Sequence, residues 1–248
     1  MAVDARLQAF RELFRGPDAG IDVGRAALTV AQIEHPDLDV DRELRRLDAL
    51  ADRVRPSPAV SRARLDRLRR FLFDEEGFRG NVDAYYDPRN SCLNDVLDRH
   101  LGIPITLSVL LMEVGRRVGL AIDGIGLPGH FIVAARVEGE RVLLDPFNGG
   151  AELSAADAEG VVARTVGRPV RLEPAHWTPC TPRQIVVRML RNLKTIYARQ
   201  ERWDRALGVV DRLLVVDPET PSHVRDRGTV LVRAGRLCEG AAWWERYL

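Results

Sequence analysis

Lysine is almost missing from this chain. Lys194 is the single lysine in 248 residues, so 36 of the 37 Lys and Arg side chains are arginines, which leaves almost no scope for lysine chemistry. Charge of one sign is missing too. The 37 cations face 36 acids, a net charge of +1, so no global field is available to gather a polyanion, and neither a nucleic-acid partner nor an acidic membrane surface is expected. Cysteine is sparse: Cys92, Cys180 and Cys238, an odd set without CxxC spacing, suit a reducing cytoplasm better than a disulfide framework. No stretch approaches the roughly 20 uninterrupted apolar residues of a membrane span. The opening MAVDARLQAFRELFRG is charged throughout, without the apolar centre of a signal peptide, so a cytoplasmic location is expected. The five histidines have no HExxH-like spacing and no glycine loop is built to cradle phosphate, so neither a metal nor a cofactor is expected. What the chain has is apolar bulk, 46% of its residues, enough for one large or two smaller folded units.

Periodicity divides the chain into three. Residues 1–80 read as a helical N-terminal region: Leu7, Phe10 and Phe14 before Gly16-Pro17, then Ala26 to Ile33, Arg42 to Val54, and Val60 to Phe73. The last of these carries Arg62, Arg64, Arg67, Arg69 and Arg70, either a phosphate-binding strip or a solvated face partnered by acids. Residues 81–182 read as an α+β core. After the turn-rich YYDPRNS, Pro104 opens a helix that ends near Gly119, and AIDGIGL, HFIVAARV and VLLDPF follow as short strands: one helix packed on an antiparallel sheet. Residues 183–248 return to helix with a period near 34. Leu193, Tyr197, Ala206 and Pro218 occupy tetratricopeptide slots, and the shift places Leu231 at the Tyr197 position, Trp244 at that of Val210, and Gly240 or Ala241 at that of Ala206. Two helix pairs are short of an independent array, so they are expected to lean on the α+β core. Trp203, Trp243 and Trp244 supply either a peptide groove or interhelix packing.

The chemistry concentrates between Asn90 and Gly150. His130 follows a Pro-Gly turn at a strand start, and Asp145 ends the next strand. With a two-residue hairpin loop, facing residues have numbers summing to 277 or 279, which puts His130 and Asp145 on one sheet face within diagonal reach. A carboxylate there accepts a hydrogen bond from the imidazole and fixes its tautomer. A three-residue loop puts them on opposite faces, and a purely structural hydrogen bond is the competing role. Asn90 and Asn94, with Gly129 beside His130, either line a polar cleft or pin the loop, and Ser91 is a candidate N-cap.

The strings GNVDAYYDPRNS, LNDVLDRHLGIPITLS, GLPGHF and LDPFNGG together resemble the bacterial SirB-type invasion-regulator family, over nearly the whole chain from about residue 20 into the repeats. That resemblance implies a papain-like, transglutaminase-like core with a C-terminal tetratricopeptide region. It also implies a Cys at a helix N-terminus followed by a His and an Asp on successive strands, the last two matching His130 and Asp145. The nucleophile departs from the pattern: the Gly-x-Cys that opens the helix falls on Gly102-Ile103-Pro104. Proline has neither a nucleophile nor a backbone N–H for an oxyanion. Three displaced nucleophiles stay open: Cys92 in the NSCLN loop, and Thr106 and Ser108 in the first turns of the helix.

Two functions compete. One is a non-catalytic regulatory or adaptor protein that binds a protein or peptide partner through the old cleft and the repeats. The other is a papain-like amide hydrolase or acyltransferase that uses His130 and Asp145 with Cys92, Thr106 or Ser108 as nucleophile.

Overall fold

The computed structural model describes residues 5–54 and 62–248. Helices α1 (Ala5–Glu12), α2 (Val23–Ala31), α3 (Val40–Val54) and α4 (Arg62–Arg69) come first, and α4 runs on into a π-helical turn, Arg70–Glu75. Strand β1 (Arg79–Gly80), the 3-10 turn Pro88–Ser91, α5 (Leu93–Arg99), β2 (Leu101–Gly102) and α6 (Pro104–Arg117) lead into β3 (Ala121–Leu127), β4 (His130–Val137), β5 (Glu140–Asp145) and β6 (Ala151–Leu153). Helices α7 (Ala155–Val166), α8 (Pro182–Arg199), α9 (Trp203–Val216), α10 (Pro221–Arg233) and α11 (Leu237–Glu245) complete the chain. The architecture is α+β, with a helix-backed antiparallel sheet and C-terminal helix pairs. Val60, expected to begin a helix, lies outside the described residues. The chain forms two compact units: residues 1–38, 86–88 and 182–248 make one, and residues 39–85 and 89–181 the other.

In the second unit the sheet order is β3-β4-β5-β6, antiparallel throughout. Its two tight turns follow from their residues. Pro128-Gly129 joins β3 to β4, with Gly129 at φ +68° where a type II turn needs a left-handed residue. Glu138-Gly139 joins β4 to β5 with both φ values positive, the primed hairpin geometry that matches strand twist. The loop is therefore of two residues, and the register, Val133 opposite Leu144 and Arg136 opposite Arg141, has the sum 277. Helix α6 packs on β3 and β4, where Gly115 admits the Ile122 side chain: a Cβ there would lie 2.5 Å from Ile122 Cδ1. Ile125, Leu127, Ile132 and Ala134 form a cluster with Ala158 and Val162 of α7. Ser154 caps that helix by accepting the Asp157 N–H, and Gly167 ends it at φ +74°. Acids partner the basic helix α4: Arg62 pairs with Asp66 at 3.2 Å and with Glu152, Arg67 pairs with Glu75 at 2.7 Å, and Arg64 donates to the Val118 carbonyl.

The first unit is all helix. Leu193, Tyr197, Ala206, Val210 and Leu231 are buried in one core with Phe10, Phe14, Ala26 and Val30, so the packing partner of the repeats within this unit is α1 and α2. Tyr197 donates its hydroxyl to Glu34, and Arg183 reaches Asp18 and the Val216 carbonyl. Helices α10 and α11 touch through glycines. A Cβ on Gly240 would lie 2.9 Å from the Gly228 carbonyl oxygen, so the slot filled by Ala206 in the first pair is filled by Gly240 in the second. The Trp244 indole covers Gly228, and Trp243 is part-buried against the core with the guanidinium groups of Arg227 and Arg246 each 4.3 Å from its ring.

Candidate functional site

His130 begins β4 directly after the Pro128-Gly129 turn, and Asp145 is the last residue of β5. The two-residue β4–β5 loop brings them together: His130 Nε2 lies 2.9 Å from Asp145 Oδ2, with the imidazole 5% exposed and the carboxylate fully buried. Asp145 also caps the short 3-10 turn Pro146–Asn148. Its Oδ1 accepts the backbone N–H groups of Phe147 and Asn148 at 3.1 and 3.3 Å, and its Oδ2 accepts the Asn148 side-chain amide at 2.7 Å. Burial alone would raise the Asp145 carboxyl. The His130 hydrogen bond and charge, with the Asn148 side chain and backbone, outweigh that and hold it below the ordinary carboxylate range. An ionised Asp145 can only accept, so the imidazole donates from Nε2.

Phe147 sets the wall of the site. Its ring stands edge-on to His130 and to Tyr85, each at 6.1 Å between centroids, and covers Gly80, where a Cβ would lie 2.6 Å from the ring. Strand β1, which holds Gly80, pairs in parallel with β2, and β2 runs directly into α6. The opening turn of α6 therefore sits near the Pro146–Asn148 turn, with which α6 also makes contact. Pro104 is the first residue of that helix and is buried. Asn148 and Phe147 were not singled out by sequence, although the Asn of DPFNGG follows the Asp by three residues, the spacing of a side-chain-capped turn.

The other candidates have specific places. Thr106 Oγ1 accepts the Ile103 N–H at 3.1 Å and donates to the Asn90 carbonyl at 2.6 Å, so its hydroxyl is spent fastening the helix start to the loop. Ser108 Oγ, one turn beyond Pro104, is buried without a hydrogen-bond partner. Cys92, fully buried, is itself the N-cap of α5, while Ser91 ends the preceding 3-10 turn with its hydroxyl buried and unpartnered. Cys92 Sγ lies within 4.8 Å of an Asp95 carboxylate oxygen, where a buried thiolate would face a like charge. The Asn90 side chain is engaged at both ends. Its amide donates to the carbonyls of Ala84 and Tyr85, and its Oδ1 accepts from Asn81 at 3.0 Å. Asn94 is buried with its Oδ1 unpartnered. Gly129, with its left-handed backbone, approaches α7: a Cβ would lie 2.9 Å from Thr165 Cγ2.

Residues 41–191 match the family model of the transglutaminase-like superfamily, and residues 193–248 match that of the tetratricopeptide repeat. Among curated proteins, a UPF0162 protein of Xylella fastidiosa (strain 9a5c) is 37% identical over 237 residues, covering 93% of this chain and 84% of its own. A UPF0162 protein of Vibrio cholerae is 33% identical over 189 residues, 76% of this chain and 70% of its own. F-box only protein 21 of Mus musculus is 27% identical over 144 residues, 55% of this chain and 22% of its own. No solved structure matches significantly. Among the described residues, no helix is long and apolar enough to cross a membrane. With its sheet, its helix pairs and these relatives taken together, the chain belongs to the transglutaminase-like superfamily, in the bacterial UPF0162 (SirB-type) family that joins this core to tetratricopeptide repeats.

Proposed function

We propose that this protein is a non-catalytic member of its superfamily, a regulatory or adaptor protein that binds a protein or peptide partner. The observation that carries this reading is the opening of α6. Pro104 stands at its first position, the Thr106 hydroxyl is bonded to the loop, and His130 beyond is 5% exposed. A helix start with no thiol, one N–H fewer and its nearest hydroxyl committed offers no nucleophile and a depleted oxyanion site. Tetratricopeptide repeats generally mediate protein–protein contacts, which fits a binding role for residues 193–248.

A second reading rests on Ser108. Its buried hydroxyl lacks any hydrogen-bond partner, and His130 and Asp145 keep the spacing of a base and its orienting carboxylate. An amide hydrolase or acyltransferase would use that hydroxyl, or less readily Cys92 or Thr106, as nucleophile.

Thiol- and hydroxyl-directed electrophiles, read by intact mass and peptide mapping on wild type and His130→Ala, separate the two. The expected result is modification of the solvent-accessible thiols, Cys238 foremost, equally in both proteins. An adduct on Cys92, Thr106 or Ser108 that disappears in His130→Ala would establish the catalytic reading instead.

A further inference from the structure

The two helix pairs, compared position by position at the period of 34, differ in charge at one turn. In the second pair, Arg236 is neutralised within its own turn by Glu239, with two hydrogen bonds of 2.7 Å. The equivalent residues of the first pair are Arg202 and Arg205, so an arginine replaces the neutralising glutamate. Arg202 is held elsewhere: its Nη2 donates to both carboxylate oxygens of Glu34 at 2.8 and 2.9 Å, in the same unit. Arg205 donates to the Ile33 carbonyl and feels the Glu34 charge, but among the described residues no carboxylate forms a close ion pair with it. Arg233, exposed at the end of α10, also makes no close ion pair among the described residues and rests over the Trp203 ring at 6.0 Å. Glu201, Arg202, Trp203, Asp204, Arg205 and Arg233 line an open surface depression of about 470 Å³.

We propose that this depression binds one acidic side chain of a peptide partner. Arg205 and Arg233 would hold the carboxylate, and the neighbouring apolar residue of the peptide would lie on Trp203. The inference rests on the binding role proposed above and names the chemistry of the partner. Guanidinium groups take carboxylates through paired donors. The acids Glu201 and Asp204 on the same lining set the limit: one carboxylate is tolerated, whereas a polyphosphate or nucleic acid would meet like charge. The second pair presents Gly235 and Leu237 at the positions of Glu201 and Trp203 and closes its arginine on Glu239, so it does not build the site twice.

The test is a titration of the full-length chain with a capped Leu-Glu-Leu tripeptide, its capped Leu-Gln-Leu analogue and free glutamate, followed by the Trp203 indole N–H resonance. Saturable shifts with the Glu peptide are expected. Binding should weaken roughly tenfold in Arg233→Glu and in Arg205→Glu, and roughly tenfold for the Gln peptide. Arg233 is exposed, so its substitution leaves the fold intact even if Arg205→Glu does not. Equal binding of the Gln peptide, indifference to Arg233→Glu, or no shift at all would overturn the site. Free glutamate binding as well as the peptide would overturn the peptide assignment. None of these outcomes bears on His130, whose electrophile test stands or falls separately.

Discussion

The sheet-containing unit and the helical unit each hold a buried histidine hydrogen-bonded to an aspartate, and the two differ in what surrounds them. In the sheet-containing unit, His130 meets Asp145 at 2.9 Å; in the helical unit, His223 meets Asp217 at 3.0 Å, in both cases through Nε2 and Oδ2. Both carboxyls sit below the ordinary range against the opposing effect of burial, Asp145 through His130 and Asn148, Asp217 through Thr220, His223 and Arg191. The imidazole–carboxylate bond by itself therefore says nothing about catalysis. Asp145 is fully buried and caps a rigid turn with two backbone N–H groups, whereas Asp217 is 27% exposed between two helices. His223 Nδ1 is buried with no hydrogen-bond partner. Of the two, His130 lies on the strand against which α6, the helix opened by Pro104, packs.

Substitutions in the two pairs should have unequal effects. The largest effect is expected from Asp145→Ala, which strands His130 and two turn N–H groups and should cost about 3 kcal/mol, against about 1 kcal/mol for Asp217→Ala, where water can replace the lost oxygens. Chemical denaturation reads both, and a larger cost at Asp217 would reverse the contrast. Next comes the turn itself. Gly150 has φ +67°, and a Cβ would lie 2.3 Å from Phe73, so Gly150→Ala should cost roughly 2 kcal/mol and loosen the cap on Asp145. The acid limb follows. A carboxyl with a depressed folded-state pKa contributes stability that is complete above the ordinary carboxylate range and is lost as pH falls through the folded value. Asp145→Asn should therefore flatten the loss of stability below about pH 4. An unchanged limb would mean that Asp145 is not held ionised by His130 and its turn. The smallest effect is in the repeats: Glu201 is left-handed at φ +55° where the second pair uses Gly235, so Glu201→Gly should gain up to about 1 kcal/mol. A loss on thermal denaturation would mean that the Glu201 side chain stabilises the turn by more than its backbone strain costs.

Much of the fold was legible because its signals are local. The strands AIDGIGL and HFIVAARV appear where alternation and Pro-Gly place them, and the hairpin sum of 277 follows from a two-residue loop. The repeat period was equally visible in Tyr197, Ala206 and Leu231. Helix α7 is not evident from sequence, although Ser154, Asp157 and Gly167 spell its caps, because its buried face is narrow, made of Ala158, Val161 and Val162. The π-helical turn Arg70–Glu75 has no sequence signature, since it extends an ordinary helical pattern. Within the candidate site, the His130–Asp145 approach could be read from register. The Phe147 wall over Gly80 could not, because it depends on the long-range pairing of β1 with β2, and that pair is only two residues long.

On the proposed reading the start of α6 lacks both a thiol and an oxyanion N–H, and Pro104→Cys supplies both. The measurement that meets it most directly is the alkylation rate of Pro104→Cys against pH, alone and combined with His130→Ala. The introduced thiol should react at neutral pH faster than the exposed native thiol, and the advantage should vanish without His130. A thiol that reacts at the same rate with or without His130 would contradict the claim.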